Sequence, residues 1–292
     1  MKILAAVVTY NRLELLKECI EHLYEQTYSD FDILIVDNAS TDGTSEYLLD
    51  NINQLSVMYE NTGANLGGAG GFNYAIRKAT EMNYDYVWIM DDDTMVTDEA
   101  LEHMVEIINA SSKEFGFITS NIQWVDGSKC KMNEQKLIGN RSYFSDRVRL
   151  CREATFVSVL FPISVVRKVG LPIKEFFIWG DDVEYTRRIS KKYPCYYLDD
   201  SVVIHKTKNN VGSNISIDDP ERISRYEYAY RNEVFIAKKE GIVRMLYQTA
   251  KVGYHVARVL LKSKNNKMKR IKVILNATLK GVKFNPSIEY VN

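Results

Sequence analysis

The sequence predicts an α/β protein in which helices flank a mostly parallel sheet, followed by a basic helical extension. Short apolar runs alternate with helical patterns through residue 90. Polar residues follow each of these runs directly, as expected where the carboxyl ends of parallel strands form a binding site. The charge is divided, because residues 1–237 hold 25 basic and 36 acidic side chains, whereas residues 238–292 hold 13 and 2.

The composition is that of an ordinary globular protein. The chain has 292 residues, 46% hydrophobic and 26% charged, which excludes disordered, collagen-like and small disulfide-stapled proteins. Its four cysteines are widely spaced, so we expect no zinc knuckle, no disulfides and a reducing compartment. The apolar start ends after Val8 without a cleavage signal, and no run reaches the roughly 18–20 residues that span a bilayer. Any membrane attachment is therefore expected to be peripheral.

The first part of the chain repeats the order strand, polar loop, helix. Continuous apolar runs predict buried strands at residues 3–8, 31–36, 57–59 and 84–90. Apolar residues at helical spacing predict helices over 15–23, after Gly43 to about Leu49, and over 71–80. This alternation favours parallel pairing through right-handed crossovers.

The second part of the chain is less regular. A helix is predicted over 97–109 and strands over 115–119 and 155–160, whereas 129–152 is a polar, basic stretch without clear periodicity. A further helix runs to Ser190, and an apolar run over 201–204 ends at His205. Helical patterns then cover 220–239, 242–262 and 267–284.

An aspartate triplet follows the fourth predicted strand. Alternate side chains of an extended chain share a face, so Asp91 and Asp93 are expected to point together while Asp92 points away or contacts a ligand. Two convergent carboxylates suit a hard cation such as Mg²⁺ or Mn²⁺. The alternative is a solvated turn or a helix N-cap, and the position directly after a buried strand argues against it.

A glycine-rich segment opens the third predicted helix. Five of the fifteen glycines lie between Gly63 and Gly71, where backbone N–H groups can approach a negatively charged ligand. Asn73 stands where the dinucleotide fingerprint requires its last glycine or alanine, and no G-x-x-x-x-G-K-[ST] loop occurs. Dinucleotide-dependent dehydrogenases and P-loop NTPases are therefore disfavoured.

Asp37 ends the second predicted strand, where its carboxylate is placed to accept hydrogen bonds from a ligand. A helix N-cap formed by Ser40 or Thr41 explains the neighbouring residues equally well.

Two acids, Asp181 and Asp182, follow Trp179 and Gly180 at a predicted helix start. They either cap this helix or act as a general base whose pKa burial beside Trp179 raises. His205 becomes a candidate metal ligand only because a carboxylate site is already inferred.

Taken in order, these motifs resemble the inverting, GT-A-fold glycosyltransferases of family 2, which move a sugar from a nucleoside diphosphate to an acceptor hydroxyl. The resemblance extends from Val7 to about His205 and includes VVTYNR, VDNASTDGT, NLGGAGGF, WIMDDDT and FIWGDDVEY. The NLGGAGGF loop and the W-x-D-D element are similar to those of bacterial galactofuranosyl- and rhamnosyltransferases of surface polysaccharide synthesis. Residues 226–232 resemble the aromatic–Arg–Asn element of the same enzymes.

The resemblance implies a role for each candidate residue. It implies that Asp91, Asp93 and His205 bind Mn²⁺ or Mg²⁺. It also implies that Trp179 contacts the donor or acceptor sugar. Asp182 would be the base, although the inserted Gly180 leaves Asp181 as the alternative. The residues implied to bind the nucleotide sugar are Thr9, Tyr10, Asn11, Arg12, Asp37, Asn38, Asn65, Gly67, Gly68, Gly71, Asp91 and Asp92.

On this basis we expect a GT-A catalytic domain at residues 1–215 and a helical basic region at 216–292. The nucleotide-sugar half of the domain would cover about 1–95 and the acceptor half about 96–215. In the basic region, Arg244, Lys251 and Arg258 recur every seven residues on one helix face. The last helix has an apolar stripe flanked by lysines, at Met268, Ile271, Leu275, Leu279 and Val282. Such helices are typical of peripheral binding to an anionic membrane.

The expected partners are a UDP- or dTDP-linked sugar donor, a lipid-linked glycan acceptor and the inner face of the cell membrane, with homo-oligomerisation left open. Packing of the basic helices on the catalytic domain is the alternative to membrane contact, and nucleic acid is not expected. Galactofuranose, rhamnose and hexopyranose donors all remain open. The competing function is a catalytically silent nucleotide-sugar-binding or assembly protein.

Overall fold

A computed structural model describes residues 1–143 and 145–291. Within them ten strands form one sheet. The same residues also form nine α-helices and two 3₁₀ helices, at Lys174–Phe176 and Pro220–Arg225. The strands are β1 Ile3–Thr9, β2 Phe31–Asp37, β3 Met58–Asn61, β4 Tyr86–Asp91, β5 Thr94–Val96, β6 Ile118–Trp124, β7 Lys136–Tyr143, β8 Ser145–Glu153, β9 Val159–Pro162 and β10 Tyr196–His205. The helices are α1 Leu13–Tyr24, α2 Thr44–Leu55, α3 Gly67–Glu81, α4 Ala100–Ala110, α5 Ile163–Val169, α6 Asp181–Ser190, α7 Tyr226–Glu240, α8 Ile242–Lys262 and α9 Lys267–Lys283.

The sheet has the order β3-β2-β1-β4-β9-β6-β10-β8-β7, and β5 pairs with β10. The α/β class with helices around a central sheet is confirmed. Strands β1 to β4 are parallel, as is the β6–β10 pair, but β9, β8, β7 and β5 pair antiparallel with their neighbours. The sheet is therefore mixed rather than mostly parallel. Parallel pairing of consecutive strands needs a crossover connection, usually a helix, and no α-helix lies between β6 and β9 in the described residues.

The stretch at 129–152 contains a hairpin that the sequence analysis missed. Strands β7 and β8 pair antiparallel, and β8 also pairs with β10. Phe144, which separates the two strands in the sequence, lies outside the described residues. The register of β7 and β8 shifts three times, which breaks the two-residue alternation by which a strand is recognised.

The sheet is buried on both faces by two layers of apolar side chains. Ile3, Ala5 and Val7 of β1 face the layer that contains α1 and α4, and Leu4 and Val8 face the layer of α3, α5 and α6. Burial of both faces explains why β1 is a continuous apolar run rather than an alternating one.

The three C-terminal helices form a smaller apolar cluster of their own. Helix α7 packs against both α8 and α9, and the cluster includes Tyr230, Val259 and Ile274. Gly281 allows α9 to approach α7 closely, since a Cβ there would lie 2.7 Å from the carbonyl oxygen of Arg231. Arg270 is buried and donates hydrogen bonds to backbone carbonyls at residues 215 and 218.

The predicted basic face of the C-terminal helices is directed partly inward. Arg244 pairs with Glu240 and Lys251 with Glu233, both on α7. The apolar side chains are the more exposed ones, with Leu246 65% and Leu261 83% exposed on α8. At these positions the cations of α8 therefore face α7, which supplies acidic partners for them.

Candidate active site

The predicted polar motifs meet at one edge of the sheet. In the parallel register Thr9 lies opposite Asp37, and Val8 lies opposite Asp91. The carboxyl ends of β1, β2 and β4 therefore align side by side, which is where open α/β sheets bind their ligands.

Asp91, Asp93 and His205 form a compact group. Each offers a ligand atom, and these atoms lie within 4.8 Å of one another. Strand β10 brings in His205 by pairing with β5 directly after the triplet, so that Nε2 of His205 lies 2.9 Å from Oδ1 of Asp93. Three residues predicted as ligands from distant parts of the sequence thus lie together.

Asp92 does not belong to this group, and its carboxylate contacts the end of β1 and the loop that follows it. Its carboxylate accepts hydrogen bonds from Thr9 Oγ1 at 2.8 Å and from Arg12 Nη1 at 3.1 Å. Arg12 also contacts Asp93 Oδ2 at 2.6 Å. Thr9 and Arg12, both implied as nucleotide-binding residues, therefore hold the aspartate triplet in this structure.

The site carries more negative than positive charge. Burial and the nearby Asp93 raise the pKa of Asp91 to about 7, and burial raises the pKa of Asp92 to about 6 despite the opposing charge of Arg12. Burial also acts to raise the pKa of Asp93, but hydrogen bonds and charges from His205 and Arg12 hold it below its usual value. Burial would lower the pKa of His205, yet the hydrogen bond to Asp93 contributes to raising it to about 10.

This donor set fits a divalent cation. Carboxylate oxygens are the preferred ligands of Mg²⁺ and Mn²⁺, and an imidazole nitrogen suits transition metals. A bound cation would also offset the mutual repulsion of carboxylates that burial intensifies.

Two residues that the sequence analysis missed contact the outer side of His205. Nδ1 of His205 lies 3.0 Å from Asn133 Oδ1 and 3.8 Å from the Cys130 sulfur. An acceptor at Nδ1 fixes the imidazole tautomer and ring orientation so that Nε2 faces the aspartates. No signal in the sequence marked Asn133, because it lies in the stretch without periodicity.

Asp37 is fully buried at the end of β2. Its carboxylate accepts hydrogen bonds from the Ser40 N–H at 2.8 Å and from the Tyr59 hydroxyl at 3.0 Å. Helix α2 begins only at Thr44, after Gly43, so the alternative of an N-cap at Ser40 or Thr41 is wrong. Tyr59 was missed, although its place on the strand next to β2 is a usable signal.

Asn11 connects the loops that follow β1 and β2. Its backbone N–H donates to Ser40 Oγ, and its side-chain oxygen accepts from the Thr41 N–H at 2.7 Å. Tyr10 beside it is 42% exposed at the open side of the site.

The glycine segment packs tightly against the loop before α6. Helix α3 begins at Gly67, earlier than predicted, and a Cβ on Gly67 would lie 2.1 Å from the Phe177 carbonyl oxygen. The N–H of Ala69 donates to that oxygen, and the N–H of Gly67 donates to Asn65 Oδ1. Two N–H groups expected to face a ligand are therefore occupied by the protein.

The other predicted residues of this segment occupy different surroundings. Asn38 Nδ2 donates to the carbonyl of Gly67 at 3.1 Å, and a Cβ on Gly71 would lie 2.5 Å from Val8. A Cβ on Gly68 would meet nothing within 4 Å, so Gly68 alone of these positions borders open space.

The loop that carries Trp179 is held by α7. Phe177 and Trp179 have φ angles of +63° and +68°, values that residues other than glycine rarely adopt. Asn232 Nδ2 donates to the carbonyls of Phe176, Ile178 and Trp179 at 2.8 to 3.2 Å. The sequence resemblance singled out the segment that contains Asn232 but assigned it no role, and the structure shows that Asn232 positions this loop.

The two acids at the start of α6 have different surroundings. Asp181 is 7% exposed, and burial together with the charges of Asp182 and Asp91 raises its pKa well above the usual range. Asp182 Oδ1 accepts a hydrogen bond from the Val183 N–H at 2.7 Å, and burial raises the pKa of Asp182 to about 6.

A helix-flanked sheet with these acidic groups at its carboxyl edge defines a GT-A glycosyltransferase. The chain belongs to glycosyl transferase family 2, whose family model matches residues 5–154. It is similar to the galactofuranosyltransferase GlfT1 of Mycobacterium tuberculosis, with 24% identity over 263 residues that cover 84% of this chain and 85% of that protein.

The fold is similar to that of solved glycosyltransferases. TarS 1–349 of S. aureus in complex with UDP superposes with a TM-score of 0.58 at 16% identity, covering 98% of this chain and 73% of that one. The chain spans less of a longer TarS structure, 44% of its length. The mannosyltransferase PcManGT of Pyrobaculum calidifontis, in complex with GDP-Man and Mn²⁺, has a TM-score of 0.56 at 16% identity, covering 97% of this chain and 75% of that one.

Proposed function

We propose that this glycosyltransferase is metal-dependent and inverting, and that it extends a lipid-linked bacterial surface glycan from a nucleoside diphosphate sugar. The observation that carries the proposal is the group of Asp91, Asp93 and His205 together with two acids, Asp181 and Asp182, in the first turn of α6. Sugar transfer to a hydroxyl requires stabilisation of the leaving diphosphate, which a cation-binding group would supply. It also requires a group that accepts the acceptor's proton, which one of the two acids would supply.

The donor nucleotide would bind along the carboxyl ends of β1 and β2. The half-exposed Arg12 side chain and the exposed Tyr10 ring offer a cation and an aromatic face beside the buried Asp37. A cation suits the diphosphate, and a planar ring suits a nucleobase.

Asp91, Asp93 and His205 would hold Mn²⁺ or Mg²⁺. When bound, such an ion would neutralise the negative charge that develops on the departing diphosphate. Thr9 and Arg12 donate hydrogen bonds to Asp92, and Asn133 keeps Nε2 of His205 directed at the aspartates.

Asp182 would act as the general base, with Asp181 as the alternative. The raised pKa of Asp182, about 6, lies closer to neutrality than that of an ordinary carboxyl, which favours proton transfer in the transition state while the carboxylate stays ionised at pH 7. The acceptor hydroxyl then attacks the anomeric carbon from the side opposite the diphosphate, and the configuration inverts.

Galactofuranose carried by UDP is the proposed donor, ahead of a rhamnose donor such as a dTDP-linked sugar. The similarity to a protein named galactofuranosyltransferase supports this order. Hexopyranose donors come third.

We propose that the protein attaches peripherally to the inner face of the cell membrane through α8 and α9. No helix among the described residues is long and apolar enough to cross a bilayer. Apolar side chains nevertheless project from these helices, and Lys262, Lys269 and Lys272 nearby have no ion-pair partner in the described part of the chain. The exposed apolar side chains are Ile242, Val243, Leu246, Tyr247, Tyr254, Leu260, Leu261, Met268, Leu275, Leu279 and Val282. An apolar face bordered by lysines suits the interface of an anionic bilayer, with a second copy of this chain as the competing occupant.

A donor screen with the purified enzyme tests the proposed activity. Release of UDP or dTDP from candidate sugar donors is measured with a lipid-linked acceptor, with Mn²⁺, with Mg²⁺ and with EDTA. The proposal expects metal-dependent release that the acceptor stimulates. Tight nucleotide-sugar binding without turnover across the donor and acceptor panel would instead support the silent binding protein.

A further inference from the structure

A cavity lies between the Trp179 loop and the C-terminal helices, apart from the group of Asp91, Asp93 and His205. Its volume is about 230 Å³, and Trp179, which lines it, stands two residues before Asp181. The opposite wall comes from α7 and α8. The cavity therefore adjoins the proposed base through the chain itself, although none of the metal or nucleotide candidates lines it.

Three basic residues of α8 line this cavity on one helix face: Lys251, His255 and Arg258. Lys251 Nζ is 2.7 Å from Glu233 Oε1, and the other oxygen of Glu233 accepts from Gln248 at 2.9 Å. The one acid in the lining is thus already paired with Lys251.

Arg258 lacks a counter-charge. Among the described residues it makes no ion pair and no hydrogen bond, and its Nε is buried without a partner. His255 contacts the Tyr230 hydroxyl at 2.7 Å, and burial with the charges of Lys251 and Arg258 lowers the pKa of His255. Because the Arg258 guanidinium lines the cavity without an acceptor, an anion bound in the cavity would accept hydrogen bonds from it.

We propose that this cavity is an acceptor subsite that binds a phosphate ester, with Arg258 as the main phosphate contact. The inference rests on the proposed transfer to a lipid-linked glycan and specifies which part of that acceptor is recognised. Guanidinium groups bind phosphate through paired N–H donors, which makes arginine well suited to this role.

The rest of the lining indicates what the phosphate is attached to. Trp179, Ile215, Ala229 and Tyr226 supply apolar and aromatic surface beside the cations. Small-molecule pockets usually measure about 300–1,000 Å³, so a cavity of this size holds a phosphate and one adjoining unit rather than a whole lipid. The exposed apolar side chains of α8 begin on the same helix, so the lipid would continue along it. A phosphate carried by an apolar chain therefore fits better than free phosphate.

Binding of farnesyl phosphate, measured by calorimetry with UDP and Mn²⁺ saturating the donor site, tests the proposal without requiring turnover. We expect saturable binding to the wild-type protein, at least ~10-fold weaker binding to Arg258→Gln, and an intermediate affinity for Arg258→Lys, which keeps the charge but loses the paired donors. Lys113→Gln, an exposed cation in the loop after α4, is the control and should bind like wild type. Thermal melting of each variant establishes that it is folded.

Each other result overturns the proposal. Equal affinity of Arg258→Gln and wild type removes the phosphate contact, and equal losses in Arg258→Gln and Lys113→Gln indicate non-specific charge attraction. Inorganic phosphate binding as tightly as farnesyl phosphate, or farnesol binding as tightly, removes the phosphate-ester assignment. Because this assay does not measure transfer, an inactive enzyme that still binds through Arg258 contradicts the proposed function alone.

Discussion

Three acidic side chains at the carboxyl edge of the sheet differ mainly in their neighbours. Asp93 is held by His205 and Arg12 and has a lowered pKa, whereas Asp91, with weaker contacts, has a raised one of about 7. Asp92 is turned toward Thr9. Identical residues in one triplet thus acquire separate roles from the strands and loops that surround them.

Asp93→Asn should weaken Mn²⁺ binding by at least ~100-fold and remove metal-stimulated transfer, because the change deletes a charged ligand. Mn²⁺ affinity is measured by calorimetry with UDP present, and nucleotide release is measured in parallel. Asp50→Asn, an exposed position on α2, should leave both values unchanged. Metal-dependent transfer that persists in Asp93→Asn would contradict the ligand assignment.

Asp182→Asn should lower kcat by about 10²–10⁴-fold, the usual contribution of a general base, with little change in donor KM. In wild type, kcat/KM should fall below pH of about 6, because a protonated Asp182 cannot accept the hydroxyl proton. The pH profile and both Asn variants are measured with saturating metal. A larger loss of kcat in Asp181→Asn than in Asp182→Asn would transfer the role of base to Asp181.

At the scale of elements, α7 connects the C-terminal helices to the catalytic loop. Asn232 is fully buried and donates hydrogen bonds to the backbone carbonyls of residues 176, 178 and 179. Arg231 donates to the carbonyls of residues 175 and 176. Positive φ angles at Phe177 and Trp179 store backbone strain that only such surrounding contacts maintain. The start of α6 therefore depends on α7 for its position.

Asn232→Ala should destabilise the protein by about 1–3 kcal/mol, because buried carbonyls lose their donor. It should also lower kcat while donor KM changes little. A shift of this loop would displace the acids of α6 but not the loops that bind the nucleotide. Thermal melting and steady-state kinetics measure the two effects. Asn276→Ala, exposed on α9, is the control, and a variant of Asn232 with unchanged kcat would show that α7 does not position the loop.

Gly67→Ala should destabilise far more than Gly68→Ala, although the two glycines are adjacent. Gly67 has a φ of +71° and no room for a Cβ beside the Phe177 carbonyl, whereas a Cβ on Gly68 meets open space. Alanine at Gly68 is even expected to add about 0.5–1 kcal/mol through its helix propensity. The free energy of unfolding in urea measures both, and similar values would contradict the close packing of α3 against this loop.

At the scale of the whole molecule, the neutral total charge results from two opposite regions that partly pair. Arg244, Lys251 and Lys280 of the basic helices bind acids of α7. Apolar side chains remain exposed on α8 and α9, and large exposed apolar patches are typical of interaction surfaces, in line with the proposed membrane attachment.

Replacement of Leu246, Leu261 and Leu279 together by serine should reduce binding to anionic vesicles by at least ~10-fold, because each buried leucine contributes about 1.5–3 kcal/mol. Co-sedimentation with phosphatidylglycerol-containing vesicles at low and high salt measures it. Leu49→Ser, 58% exposed on α2, is the control. Wild-type binding that is absent even at low salt would contradict membrane attachment, and a dimer in light scattering that the triple substitution dissociates would assign the face to a second copy.

The sequence by itself determined the α/β class, the first four strands and the boundaries of α8, because these depend on local apolar periodicity. Through the family resemblance that its motifs carry, it also indicated Asp91, Asp93 and His205 as a group, and the structure brings the three together. Only the tertiary structure decided what depends on contacts between distant segments. These are the antiparallel insertion of β9, the role of Asn133 behind His205, the hold of Asn232 on the catalytic loop and the inward direction of Arg258. Local patterns specify which face of an element is apolar, but which neighbour covers that face is settled by the pairing of segments far apart in the chain.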